Sequence, residues 1–208
     1  MSHLQEKRAR FEDLYSRSRP PWDIDSPQPA FVQIADEIEG SILDVGCGTG
    51  ENALFFASRG HETMGIDFLE SPIAIANEKA RDRGIDATFK VHDALALHEL
   101  IRTFDRVLDC GLFHTFSNED RPTYVNSLSK AVKPGGKIHL LCFSENEPEG
   151  QGPRRVTQTE IQNCFSRGWT VESIEPARFL TRTDVEGVSF SRGGPHAWFA
   201  RVRRVVQG

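Results

Sequence analysis

The sequence predicts an α/β fold in which a mostly parallel sheet carries helices on both faces. Short apolar runs ending in glycine or an acidic residue recur between residues 41 and 143. Each is followed by a segment with helix punctuation, and strands that alternate with helices pair in parallel because each crossover returns the chain in the same direction. The runs are continuously apolar, as strands buried on both faces require.

In chain order, residues 3–18 place Leu4, Phe11, Leu14 and Tyr15 at helix-compatible spacing, which predicts an amphipathic helix. Arg19-Pro20-Pro21-Trp22-Asp23 is a rigid break. Pro29 to Glu39 is predicted as a second helix with Phe31, Ile34, Ala35 and Ile38 on one face. Ile42–Val45 is the first strand, Glu51–Ser58 a helix stopped at Gly60, and Thr63–Asp67 the second strand. Ser71 is placed as the cap of a helix with Pro72 at its first position and Gly84 just past its end. Ala87–Val91 and Phe104–Cys110 follow as strands, then a helix over Asn118–Val132, a Lys133-Pro134-Gly135-Gly136 turn and a strand over Lys137–Phe143. Residues 145–156 form a loop, and Thr157 with Glu160 makes a capping box for a helix ending near Gly168. Trp169–Ile174 and Ala197–Val206 are late strands. In the second, Arg201, Arg203 and Arg204 alternate with valines as an outer strand face would.

The net charge of −5 argues against a non-specific polyanion binder, which needs clustered positive charge. Cys47, Cys110, Cys142 and Cys164 contain no C-x-x-C pair and suggest no metal site; they are expected as reduced thiols in a cytoplasmic protein. The charged N-terminus lacks the apolar core of a signal peptide, and no apolar run is long enough to span a membrane.

The strongest chemical signal is Leu43-Asp44-Val45-Gly46-Cys47-Gly48-Thr49-Gly50. A strand runs into three alternate glycines and then a helix, so the backbone can approach a ligand where a Cβ would clash. The turn after the first strand of such a sheet is where nucleotide-like ligands bind, and Asp67, closing the second strand, is placed to accept from ribose hydroxyls. Asp44 inside the strand sharpens the pattern.

The stretch from Leu43 to Phe143 resembles class I S-adenosylmethionine-dependent methyltransferases. The matching pieces are the glycine motif, Gly65-Ile66-Asp67-Phe68, His92-Asp93-Ala94, Phe104-Asp105-Arg106-Val107 and Pro134-Gly135-Gly136. The resemblance implies a Rossmann-like seven-stranded sheet whose last strand inserts antiparallel. It implies one domain over 1–208, with an N-terminal helical cap (1–40), a cofactor-binding core (41–143) and a C-terminal hairpin and lid (144–208). S-adenosylmethionine would be held by Asp44, Gly46, Cys47, Gly48 and Gly50. Asp67 would hold its ribose, Phe68 would lie against adenine, and Asp93 beside Ala94 would accept from the adenine amino group. Cys110 and Gly111 would supply backbone near the methionine portion. Pro21-Trp22-Asp23-Ile24 and Pro27-Gln28-Pro29-Ala30-Phe31 are further similar to the entry segment of thiol-, halide- and thiopurine-methyltransferase-like enzymes, although Asp25 and Ser26 depart from it. In that group Trp22 would pack near the cofactor; otherwise it plugs the gap between the N-terminal helix and the core.

Methyl transfer by in-line displacement needs alignment and water exclusion more than a strong base. The acceptor is expected to be a small molecule methylated at a thiol, a heteroaromatic sulfur or nitrogen, or oxygen, without metal, nucleic acid or membrane involvement. His114, after the fourth strand, is the candidate catalytic base or else a locally packed residue. Phe113 and Phe116 are candidates for the pocket wall or for plain core. Segment 176–196 is expected as a lid in which Arg192 pairs with an acidic acceptor or stays in solvent. Two alternatives stand beside this reading. One is an NAD-dependent dehydrogenase, disfavoured by the G-x-G-x-G spacing and by Asp44 where dinucleotide folds carry an apolar residue. The other is a non-catalytic S-adenosylmethionine-binding protein.

Overall fold

The computed structural model describes residues 9, 11–15, 19–150, 152–185 and 189–206. Its seven strands are β1 (Ile42–Val45), β2 (Thr63–Asp67), β3 (Thr88–Val91), β4 (Phe104–Cys110), β5 (Val132–Phe143), β6 (Trp169–Arg178) and β7 (His196–Arg204). They form one sheet in the order β3-β2-β1-β4-β5-β7-β6. β3, β2, β1, β4 and β5 run parallel, and β7 inserts antiparallel between β5 and β6. The helices are α1 (Pro29–Gln33), α2 (Glu51–Ser58), α3 (Glu70–Arg83), α4 (Arg121–Ala131) and α5 (Gln158–Cys164).

Alternate strand residues fill opposite layers. On β5, Ile138, Leu140 and Cys142 pack with Tyr124 and Leu128 of α4 and Ile161 of α5. Leu141 and Phe143 pack with Phe31 and Ile34 on the other side. A smaller cluster of Leu54, Ile73, Ala76 and Phe89 joins α2, α3 and β3. Because the parallel strands are covered on both sides, β1 and β2 are buried along their whole length.

Several expected boundaries move. The predicted 29–39 helix ends at Gln33 and continues as a 3₁₀ turn over Ala35–Glu37. Residues 9 and 11–15 are helical; the rest of the predicted 3–18 helix, Leu4 included, lies outside the described residues. Ser71 does not cap α3. The helix starts at Glu70 with Leu69 as N-cap, and Asp67 Oδ1 accepts from the Leu69 N–H at 3.0 Å. The Pro134-Gly135-Gly136 turn lies inside β5, where the pairing with β4 slips between Phe104↔Val132 and Arg106↔Lys137. The Thr157 capping box forms in full, with Glu160 N–H donating to Thr157 Oγ1 at 3.1 Å and Thr157 N–H donating to Glu160 Oε2 at 2.8 Å. The alternation in β7 is in part as expected: Val202 is buried, while Arg201 and Arg203 pair with Glu175 and Glu172 of β6 at 3.0 and 2.9 Å, but the strand ends at Arg204 and Val205 is exposed. No helix among the described residues is long and apolar enough to cross a membrane.

Candidate functional site

The carboxyl ends of β1, β2 and β4 converge on the loop from Gly46 to Gly50. Gly46, Gly48 and Gly50 all take positive φ (69°, 53° and 85°), a region that side chains with a Cβ avoid. Gly50 has a second reason to lack a side chain, since a Cβ there would lie 2.7 Å from the Phe89 ring. Gly65 of β2 faces the same ring and the Cys47 sulfur, at 2.6 and 2.9 Å from its own missing Cβ. The loop is thereby drawn against β2.

Asp67 stabilises that approach. Its Oδ2 accepts from the Gly48 N–H at 3.1 Å, and burial raises its pKa above the ordinary carboxylate value. His92 N–H donates to the Asp67 carbonyl at 2.9 Å, which brings Asp93 and Ala94 beside the same strand end. Asp93 Oδ1 caps the following turn through the Leu95 N–H at 2.8 Å; Oδ2 has no partner among the described residues. Asp44 lies beneath the loop, fully buried, with neither carboxylate oxygen in a geometric hydrogen bond. Desolvation raises its pKa to about 7, against partial relief from the Ala53 N–H and with further repulsion from Asp109 and Asp67.

The N-terminal residues cross over this loop. Trp22 is 40% exposed and packs edge-on against Phe11 and Tyr15 of the N-terminal segment. Its indole N–H donates to the Tyr15 hydroxyl at 3.2 Å, and its ring meets Phe11, which meets Phe68 edge-on with centroids 5.9 Å apart. The Tyr15 hydroxyl lies 3.0 Å from where a Gly48 Cβ would be. Asp23 Oδ1 accepts from Thr49 Oγ1 at 2.7 Å, and Lys79 Nζ donates to Thr49 Oγ1 and Glu51 Oε1 at 3.0 and 2.8 Å. Gln28 ties this strap to the segment after β6: its amide N–H donates to the Leu180 carbonyl at 2.9 Å, and its Oε1 accepts from the Leu180 N–H at 2.8 Å. Tyr15, Asp23 and Gln28 were not singled out as site residues from the sequence, because each acts through contacts remote in the chain. Gln28→Ala is expected to cost about 1–3 kcal/mol of local stability, since it leaves two part-buried backbone groups unpaired. Faster hydrogen exchange at Leu180 would register that loss; unchanged protection would contradict it.

A second group sits at the ends of β4 and β5. Gly111, at φ 80°, has its missing Cβ 3.3 Å from the His114 imidazole. Cys110 precedes it, its thiol pushed up by burial. His114 is buried, and its Nδ1 accepts from the Phe143 N–H at 3.1 Å. Its ring meets Phe143 and Phe179 at centroid distances of 5.2 and 6.0 Å, and Phe143 meets Phe190 at 5.5 Å. This arrangement weighs against the expected role of general base. Nδ1 is occupied as an acceptor, so the neutral ring carries its proton on Nε2. Desolvation, with Arg121 and Arg155 nearby, lowers the pKa to about 3.

Three expected residues lie elsewhere. Phe113 is wholly buried under the Arg121 guanidinium, 4.5 Å from its ring centroid, and Phe116 packs on Tyr124. Both are core. Arg192 is exposed at the turn before β7, where its carbonyl accepts from Arg178. The rings around His114 are Phe143 and Phe179, both buried, with the part-buried Phe190 against Phe143, and their partners are too distant in sequence for periodicity to reveal. Glu147 holds the far side of this segment by accepting from the Ser191 and His196 N–H groups at 3.1 and 2.9 Å.

A nucleotide-type loop on this strand order, with a buried acid beneath it and an antiparallel last strand, defines a class I S-adenosylmethionine-dependent methyltransferase, and the chain belongs to that family. Residues 42–136 match the methyltransferase domain. A 2-heptyl-1-hydroxyquinolin-4(1H)-one methyltransferase of Mycobacteroides abscessus is 34% identical over 92% of this chain and 84% of its own. Thiocyanate methyltransferase 1 of Arabidopsis thaliana is 26% identical over 83% of this chain and 78% of its own. A structure solved in work on the conversion of a disulfide bond into a thioacetal group during echinomycin biosynthesis is 35% identical. It superposes with a TM-score of 0.81 over 92% of this chain and 88% of its own. Neither a dehydrogenase nor a non-catalytic binder finds support among these relatives.

Proposed function

We propose that this chain methylates a flat heteroaromatic small molecule held against His114, Phe143, Phe179 and Phe190. The observation that carries the reading is this aromatic wall beside Gly111, at the end of the sheet where the glycine loop also lies. Aromatic faces favour a planar ring by stacking or edge contacts. The quinolinone in the relative's name supports the same acceptor chemistry. A net charge of −5 supports a small acceptor over nucleic acid, and four free cysteines support a reducing, cytoplasmic setting.

When bound, S-adenosylmethionine supplies an electrophilic methyl group on a sulfonium that becomes a neutral thioether. The chain's residues fit such a ligand. The Asp44 carboxylate, relieved only in part by the Ala53 N–H, suits a nearby cationic group, and the remaining lone pairs of Asp67 suit ribose hydroxyls. Asp93 Oδ2 is open to an amino group, with Ala94 next to it in the chain, and Phe68 follows Asp67 at the end of β2. Gly46, Gly48 and Gly50, with Cys47 between them, offer close backbone approach, and Gly111 after Cys110 would do so near the methionine portion. Trp22 packs edge-on against Phe11 and donates to the Tyr15 hydroxyl beside the glycine loop. Catalysis then rests on alignment of acceptor and methyl group within this site.

The direct test incubates the protein with methyl-labelled S-adenosylmethionine and a panel of quinolinones, heteroaryl thiols and aliphatic thiols. Label is expected in the heteroaromatic members. Transfer to aliphatic thiols alone would contradict the reading. A second outcome concerns pH. A cationic group beside Asp44 lowers its pKa from about 7, so complex formation below that pH releases a proton. S-adenosylmethionine affinity should rise as pH increases from about 6 to about 7 and then level. Calorimetry in buffers of different ionisation enthalpy checks it, and Asp44→Asn should remove the proton release.

A further inference from the structure

We propose that His114 is a specificity-determining hydrogen-bond donor that restricts the acceptor to heteroaromatic acids already deprotonated at the atom to be methylated. The inference rests on the heteroaromatic reading above and narrows it. The Phe143 N–H can only donate, so its 3.1 Å contact fixes Nδ1 as the acceptor and leaves the ring proton on Nε2. Nε2 has no hydrogen-bond partner among the described residues, and its edge of the ring faces Gly111. A ring so held presents N–H to the acceptor and has no free lone pair with which to take a proton from it.

The charged groups around the ring agree. Arg121 of α4 approaches from one side, and Arg155 lies over Phe143 with its guanidinium carbon 5.4 Å from the ring centroid. Asp109 of β4 is engaged by the Tyr124 hydroxyl at 2.7 Å and by the Leu112 and Phe113 N–H groups at 2.9 and 3.1 Å. No carboxylate is hydrogen-bonded to the imidazole among the described residues, so nothing raises its basicity. Arg121 is itself paired with Glu160 at 2.9 Å and Arg155 donates to the Glu147 and Pro153 carbonyls, so the selection for an anion comes from the Nε2–H donor, because a hydrogen bond to a charged acceptor is about twice as strong as a neutral one.

The step balances without a base. The acceptor loses its proton to solvent before binding. Its lone pair then forms the bond to the methyl carbon, and the carbon–sulfur pair stays on sulfur. Anion and sulfonium become two neutral products, and His114 keeps its Nε2 proton throughout. The acceptors that fit are N-hydroxy heteroarenes and heteroaryl thiols whose acidity lies near or below neutrality; weakly acidic phenols and alcohols are excluded.

The test uses acceptors on one ring system with free pKa values from about 5 to about 10. Each kcat/KM profile is expected to rise to that acceptor's own pKa and then level, with the weakest acids at least about tenfold slower at pH 7. A second readout needs no turnover: the absorbance of an acceptor bound with S-adenosylhomocysteine should show its anion below its free pKa. His114→Phe should abolish that shift and weaken anion binding by about tenfold to a hundredfold, whereas His114→Gln, which keeps a donor, should retain part of it. Nitrogen-15 NMR of the intact protein should place the His114 proton on Nε2. A single acceptor-independent pKa between about 6 and 7 in every profile, a neutral bound acceptor, or a proton on Nδ1 would overturn the proposal. If no panel member is bound or methylated, the heteroaromatic reading fails and the inference falls with it. Methylation with an acceptor-independent profile sinks the inference alone.

Discussion

Asp67→Ala is expected to weaken S-adenosylhomocysteine binding by about a hundredfold or more while the protein stays folded. Two hydrogen bonds from ribose hydroxyls to a buried carboxylate are each worth about 1.5–3 kcal/mol, so losing both exceeds a hundredfold in affinity. The variant also frees the Gly48 N–H, now bonded to Oδ2 at 3.1 Å, and so loosens the loop that approaches the ligand. Stability should change far less. Burial holds the Asp67 pKa above its ordinary value, so removing the carboxylate also relieves a desolvated charge. Calorimetric titration beside a denaturant curve separates the two effects. Equal affinity for variant and wild type would show that Asp67 does not face the ligand.

Gly50→Ala acts on folding. The residue sits at φ 85°, and its missing Cβ lies 2.7 Å from Phe89 and 3.0 Å from Ala76. A left-handed conformation costs about 1–2 kcal/mol for a residue with a side chain. Overpacking a filled core adds typically about 1–3 kcal/mol. The sum of about 2–5 kcal/mol is a large part of the 5–15 kcal/mol that typically holds a domain together. A urea midpoint lowered to match is the expected result; a difference below about 0.5 kcal/mol would show that Phe89 yields at little cost.

The sheet was legible because its signal is local. The short run Thr63–Asp67, ending in an acidic residue ahead of a helix signal, reads as an interior strand, and its bounds agree with the structure. Gly84 closes α3 in the left-handed conformation its position suggested. Ser71 was misread because its residue type fits a cap, whereas the N–H of the actual N-cap, Leu69, is satisfied by Asp67 across a strand–helix junction. The glycine loop and its acids were legible for the same reason as the strands: their spacing is short.

The acceptor side was not. Phe113 and Phe116 look like wall residues because apolar character does not say which layer a side chain enters, and here both enter the α4 side. Phe143, Phe179 and Phe190 meet only once β7 is inserted beside β5. Imidazole as a residue type suggested a base; only the Phe143 N–H, 29 residues away, decides which nitrogen keeps the proton. Tyr15 and Gln28 depend likewise on the N-terminal strap folding back over Gly48 and Leu180.

Everything depends on the loop, Asp44 and Asp67 forming one adenosyl-binding pocket. Titration of the intact chain with S-adenosylhomocysteine and, separately, with NAD tests that most directly. Saturable one-to-one binding of the first and no heat with the second is the expected result. Binding of NAD, or of neither, would contradict the account.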